Sequence, residues 1–113
     1  MRTRTDEIRG IKVLSCFGAM TLGGGADELD EAFARVLREA GSGIVLDLTR
    51  LSYLDSAGIG AVVACSKKAA ASGTVMKIAV AASGPVRRIF ELTQLERGFE
   101  IFVDADSAAA SFA

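Results

Sequence analysis

Between Gly43 and Leu48 the chain reads GIVLDL, a short, β-branched run with a single acid. Apolar residues at successive positions leave no face for water, so this strand must be covered on both sides, as a central parallel strand is. Parallel pairing needs a crossover connection of a dozen or more residues. The sequence supplies one: Thr49 to Asp55 leads to a helix expected over Ser56 to Ala71, ended by Gly73.

The rest of the chain fits around that unit. Thr3 to Ile8 and Ile11 to Phe17, separated by Arg9-Gly10, read as a β-hairpin. In the second strand Ile11, Val13, Ser15 and Phe17 share one face and Lys12, Leu14 and Cys16 the other. The first set is the more apolar, and Leu14 and Cys16 bury part of the second, as expected of an inner strand. Gly18 to Gly25 reads as a loop, because three successive glycines lose too much backbone entropy in a regular element.

A helix is expected over Asp27 to Ala40, with Leu29, Phe33, Val36, Leu37 and Ala40 on one face, acids in its first turn and Gly41 as its stop. Val75 to Val80 reads as a strand, and Pro85 opens a helix to Leu92. Phe99 to Val103 reads as an edge strand, and Asp106-Ser107 as the cap of a final helix through Phe112. The expected order is ββαβαβαβα: one α/β domain over residues 1 to 113, with a mixed sheet of four or five strands and four helices.

Composition narrows the chemistry. Thirteen basic residues against 14 acidic ones give no basic surface for nucleic acid or an anionic membrane. No apolar stretch approaches the roughly 20 residues a spanning helix needs. The N-terminus, MRTRTDE, lacks the apolar core of a signal peptide, so a cytoplasmic location is expected. With no histidine, Ser-His-Asp triads and His metal ligands are impossible within the chain. Cys16 and Cys65 have no CxxC spacing and read as buried thiols. No cofactor or metal site is expected.

The glycines from Gly23 to Gly25 are not followed by the Lys-Ser/Thr pair of a phosphate loop. Asp55-Ser56-Ala57-Gly58 lacks the leading glycine of a nucleophile elbow, and Ser56 has no ordinary base. Ser56 suits the N-cap of the following helix, with Asp55 orienting the turn before it. Asp47 reads as the end of its strand rather than one of a catalytic pair. Gly58 and Gly60 each cost a helix about 1 kcal/mol relative to alanine. They are explained by close approach of another backbone, either the protein's own sheet or a partner. Ala57 to Cys65 carries no charge, which fits an interaction surface or a deeply wedged helix equally well. Ser83 precedes the third helix at the same expected end of the sheet as Ser56.

The strand IVLDL, the segment YLDSAGIGAVV, the later VMKIAVAASGPVRRIFELTQLERGFEIF and the Gly18 to Gly25 loop together resemble the STAS domain of anti-sigma-factor antagonists. The resemblance runs through nearly the whole chain. Its most specific piece is a strand followed by aspartate-serine, a small residue, glycine, an aliphatic residue and glycine. It implies a small cytoplasmic bacterial module, without catalysis of its own, that binds a serine-kinase anti-sigma factor and so releases a sigma factor. Ser56 is then the phosphorylation site, and a serine phosphatase resets the switch. The partner-binding set is Thr21, Asp55, Ser56, Ala57, Gly58, Ile59 and Ser83, in a monomer or weak dimer with no direct nucleic acid contact and no membrane insertion.

The chain departs from the commonest family pattern at Ala57, where a serine or threonine often follows the acceptor. It departs again in Thr21 to Gly25, which lacks the acid many antagonists carry there. Both departures bear on the partner, not the fold. The alternative expectation is a STAS-fold accessory subunit of a membrane transport complex or larger signalling assembly, with Ser56 only a cap. A nucleotide-hydrolysing enzyme comes last.

Overall fold

A computed structural model describes residues 1 to 112. The hairpin forms as β1 (Arg2–Ile8) and β2 (Ile11–Met20), turning through Arg9 and Gly10, both at positive φ. The GIVLD run forms β3 (Gly43–Asp47), and all five of its residues are buried. It lies between β2 and β5 (Val75–Ala79), parallel to both, and β6 (Ile101–Phe102) closes the far edge.

The helices are α1 (Ala26–Leu37), α2 (Ser56–Ala71), α3 (Pro85–Leu92) and α4 (Ala105–Ala110), with a 3-10 turn at Leu95–Arg97. The expected α/β class, mixed sheet and element order are therefore observed, with one strand added. That strand is β4 (Leu51–Leu54), inside what the sequence presents as a connection. It pairs in parallel with the far end of β2, Gly18 to Met20, after a register shift between Gly18 and Ala19. For the same reason β2 does not stop at Phe17. Each stretch supplies the other's hydrogen-bond partners from more than 30 positions away.

The main core lies on the Leu14 and Cys16 side of β2. There Ile44, Leu46 and Ile78 from the sheet meet Leu29, Phe33 and Val36 of α1, Val62 and Cys65 of α2, and Phe90 of α3. The sequence makes the Ile11 and Val13 face the more apolar one. In fact that face carries the smaller core, where Val13 and Val45 are covered by Ala108 and Ala109 of α4. Three helices outweigh one short helix, so the side each residue faces matters more than its neighbours' hydropathy.

The small core is tied by a buried cation. Lys77 Nζ donates to Ser111 Oγ at 2.8 Å and to the Ser111 carbonyl at 3.2 Å. It also pairs with Glu100 at 3.4 Å and lies 4.3 Å from the centre of the Phe112 ring. Each donor of the ammonium thus has an acceptor or a π face, as a buried charge requires.

Several element ends differ from expectation: β5 stops at Ala79 rather than Val80, β6 is confined to Ile101–Phe102, and the ends of α1 and α4 have local causes. α1 stops at Leu37 because Glu39 and Ala40 donate to carbonyls three residues back, tightening the last turn out of α geometry. α4 is capped by Asp104, whose carboxylate accepts from Ser107 N at 2.7 Å, not by Asp106-Ser107. The bounds of α2 and α3 fall where the sequence puts them.

Candidate functional site

The end of β2, the Thr21 to Gly25 turn and the start of α2 meet at one rim of the sheet. β4 brings the chain to that rim, where Asp55 N donates to the Met20 carbonyl at 3.2 Å. Asp55 then takes the extended conformation of an N-cap (φ −98°, ψ −169°), and its Oδ1 accepts from Gly58 N at 3.0 Å. The cap is therefore Asp55 and not Ser56. Ser56 becomes the first residue of the helix and is exposed, its hydroxyl not called on for capping.

The second carboxylate oxygen, Oδ2, accepts from Leu22 N at 3.1 Å. These amide bonds, Gly58 first and Leu22 second, hold the Asp55 carboxyl below the usual carboxylate range. Asp55 is thus an anion at neutral pH, immediately beside the Ser56 hydroxyl.

The turn is closed on itself. Thr21 N and Thr21 Oγ1 both donate to the Gly24 carbonyl, at 2.7 and 2.9 Å, and Gly24 N donates back to the Thr21 carbonyl at 3.0 Å. Gly25 then enters α1 at φ +111°, where a Cβ would lie 2.5 Å from the Ala19 carbonyl oxygen and 2.8 Å from Met20 Cα. The glycines let α1 start hard against the sheet. Leu22 stands at the tip, 82% exposed.

The two glycines of α2 have different reasons. A Cβ on Gly58 would fall on the Met20 carbonyl oxygen and within 2.9 Å of Leu54 Cβ, so its smallness serves internal packing. Around Gly60 nothing lies within 4 Å, and the residue is exposed. The uncharged helix start divides likewise. Gly58, Val62 and Cys65 are buried, whereas Ser56 and Gly60 face outward with Val63 and Ala64 half-exposed beside them.

Of the expected binding set, Thr21 and the run from Asp55 to Ile59 are thus joined through backbone and carboxylate bonds. Ala57 and Ile59 are half-buried, and Ile59 packs against the main core. Ser83 is exposed and takes no part in those bonds. It lines a separate groove of about 490 Å³ at the start of α3 with Gly84, Pro85 and Arg88. Arg87 in that groove is already committed to the Val80 and Ala81 carbonyls at 3.0 and 2.9 Å. Leu22 is the residue the sequence reading omits. Its signal is an aliphatic side chain alone among glycines, with no periodic neighbour to bury it.

Asp47, the last residue of β3, accepts from Ser15 Oγ at 3.3 Å and from Thr49 N and Oγ1 at 3.0 and 2.7 Å. Those bonds shape the bend into β4 and give it a structural job. Cys16 and Cys65 are buried and unpaired, and burial pushes both thiols up to about 12. Neither is expected to react with a thiol reagent in the native protein at about pH 8, and both should react on unfolding in urea. Labelling followed by mass measurement reads this directly, and one label added before unfolding would contradict it. Among the described residues no group of acids and cysteines is placed to hold a metal ion, and no helix is long and apolar enough to cross a membrane.

Comparison with known proteins places this geometry. A model of the STAS domain matches residues 2 to 108. The chain belongs to the STAS domain family. An anti-sigma factor antagonist from Mycobacterium paratuberculosis is similar in structure, with a TM-score of 0.85 at 23% identity over 97% of this chain and 92% of that one. The phosphorylated form of SpoIIAA, a cell fate determinant of Bacillus, gives a TM-score of 0.67 at 17% identity, over 99% and 100% of the two chains. A sulfate transporter family protein from Wolinella succinogenes gives 0.76 at 18% identity, over 94% and 87%. Among curated proteins no match was found. At these identities the structural likeness establishes the fold alone.

Proposed function

We propose that this STAS protein is an anti-sigma-factor antagonist that docks onto a serine-kinase anti-sigma factor through the rim around Ser56, and that phosphorylation of Ser56 ends the complex. The observation that carries the proposal is the division of labour at the helix start. Asp55 performs the cap, so the exposed Ser56 hydroxyl is available to a kinase without cost to the fold. The kinase transfers the γ-phosphoryl group of ATP to Ser56 Oγ, the hydroxyl proton leaves, and ADP is released. A phosphatase returns the hydroxyl by hydrolysis. The antagonist supplies the acceptor and the docking face, with no catalysis and no cofactor of its own, and acts in the cytoplasm as a monomer or weak dimer.

The electrostatics support release. A phosphate adds a charge of about −1.5 to −2, which a helix N-terminus accommodates. Beside the ionised Asp55 it brings the rim to a charge of about −2.5 to −3, which repels an acidic partner surface and is costly to bury against an apolar one. The likeness in fold to SpoIIAA, a protein whose phosphorylated form is known, supports the reading.

A second reading, an accessory subunit of a transport complex with no phospho-switch, is favoured by the likeness to the sulfate transporter family protein. Intact-mass analysis with peptide mapping of protein from its native cells separates the two. The switch requires about 80 Da on the peptide containing Ser56 and a soluble ATP-dependent kinase that co-purifies. Unmodified Ser56 with a co-purifying membrane protein would decide for the subunit.

A further inference from the structure

We infer that Asp55 is a positioning residue that fastens the Thr21 to Gly25 turn to α2, so that Leu22 and Ser56 are presented to the partner as one docking face. The inference rests on the partner-binding role proposed above and adds to it a second anchor and the bond that holds it in place.

A helix cap needs one acceptor oxygen, and serine, threonine or asparagine supplies it as well as aspartate does. Asp55 has two, and both are used, on amides from different elements: Oδ1 on Gly58 N at 3.0 Å and Oδ2 on Leu22 N at 3.1 Å. Only a carboxylate offers two acceptors in a fork, since asparagine presents an NH₂ at the second position. The residue therefore does more than capping asks of it. The turn it holds is a unit closed by the Thr21 and Gly24 bonds, so fixing Leu22 N fixes the whole loop against the helix start.

What the turn displays is a leucine side chain 82% exposed. A closed turn that holds an aliphatic side chain in water gains nothing from it in the isolated protein. The same side chain is a ready anchor for a pocket on a partner. The tie is ionic on one side, so it depends on the charge of Asp55. The carboxyl is held below its usual range, so the bond is complete above the ordinary carboxyl range and is lost as pH falls through the depressed folded value.

Asp55→Asn separates the two jobs, because it keeps a cap and removes the second acceptor. Amide hydrogen exchange by NMR on the isolated protein is expected to show Leu22 N–H exchanging at least about tenfold faster, with Gly58 N–H unchanged. In the wild type the Leu22 amide shift should titrate with a midpoint below the usual carboxylate range, and in Asp55→Asn it should not titrate. Asp55→Asn and the exposed substitution Leu22→Ser should each weaken binding of the kinase recovered with the wild-type protein by at least about tenfold. Unchanged Leu22 exchange in Asp55→Asn overturns the tie, and wild-type affinity in both variants overturns the docking role. The exchange and shift measurements use this chain alone, so their failure is distinct from finding no phosphate on Ser56.

Discussion

Replacing Gly58 with alanine should cost the protein about 3 kcal/mol, whereas the same change two residues on, at Gly60, should stabilise it by about 0.5 to 1 kcal/mol. Both glycines sit in the first turns of α2 and pay the same backbone entropy. At Gly58 the added methyl meets the Met20 carbonyl oxygen and Leu54 Cβ, and neither is the far end of a flexible chain. The strand end and the helix start would have to part, which disturbs the Asp55 N to Met20 bond as well. At Gly60 the methyl enters open space and the helix gains propensity alone. At roughly 4 °C per kcal/mol for a chain of this size, Gly58→Ala should melt about 12 °C lower and Gly60→Ala a few degrees higher. Equal shifts of the same sign in the two melting curves would refute the assignment of Gly58 to internal packing.

That contrast also marks the limit of reading this chain as a string. Local signals carry local structure. Pro85 at the first helical position marks the start of α3, and Asp55-Ser56 and Gly73 bracket α2, with the cap one residue earlier than expected. What escapes is decided between distant segments. β4 has too few residues for periodicity to speak, and the end of β2 looks like a glycine-containing loop until the two are paired. The same holds at the site. Asp55 and Ser56 stand out in the sequence as neighbours at a helix start, yet either side chain can cap. The choice falls to aspartate through a backbone that holds it extended, with a second amide 33 residues away taking its other oxygen. The tie between Asp55 and Leu22 is invisible for that reason, and so is the difference between Gly58 and Gly60.

With the cap assigned to Asp55, substitutions at Ser56 should separate folding from binding. Ser56→Ala is expected to melt within about 1 °C of wild type, because no orphan amide loses its acceptor; were Ser56 the cap, the loss would be about 1 kcal/mol and several degrees. It should bind the kinase with near wild-type affinity and accept no phosphate. Ser56→Asp is also expected to fold, since a carboxylate in the first helical turn is favoured by the dipole by about 0.3 to 1 kcal/mol and opposed by Asp55. Its binding should fall by about 30- to 100-fold, as a second carboxylate beside Asp55 is desolvated against the partner without a counter-ion. The two substitutions alter the same exposed atom position and differ in charge, so calorimetry on the pair isolates the electrostatic term. Raising salt should recover little of the loss, because charges buried in an interface are screened far less than exposed ones. Equal affinity for Ser56→Ala and Ser56→Asp would mean that charge at this rim is not what the partner reads.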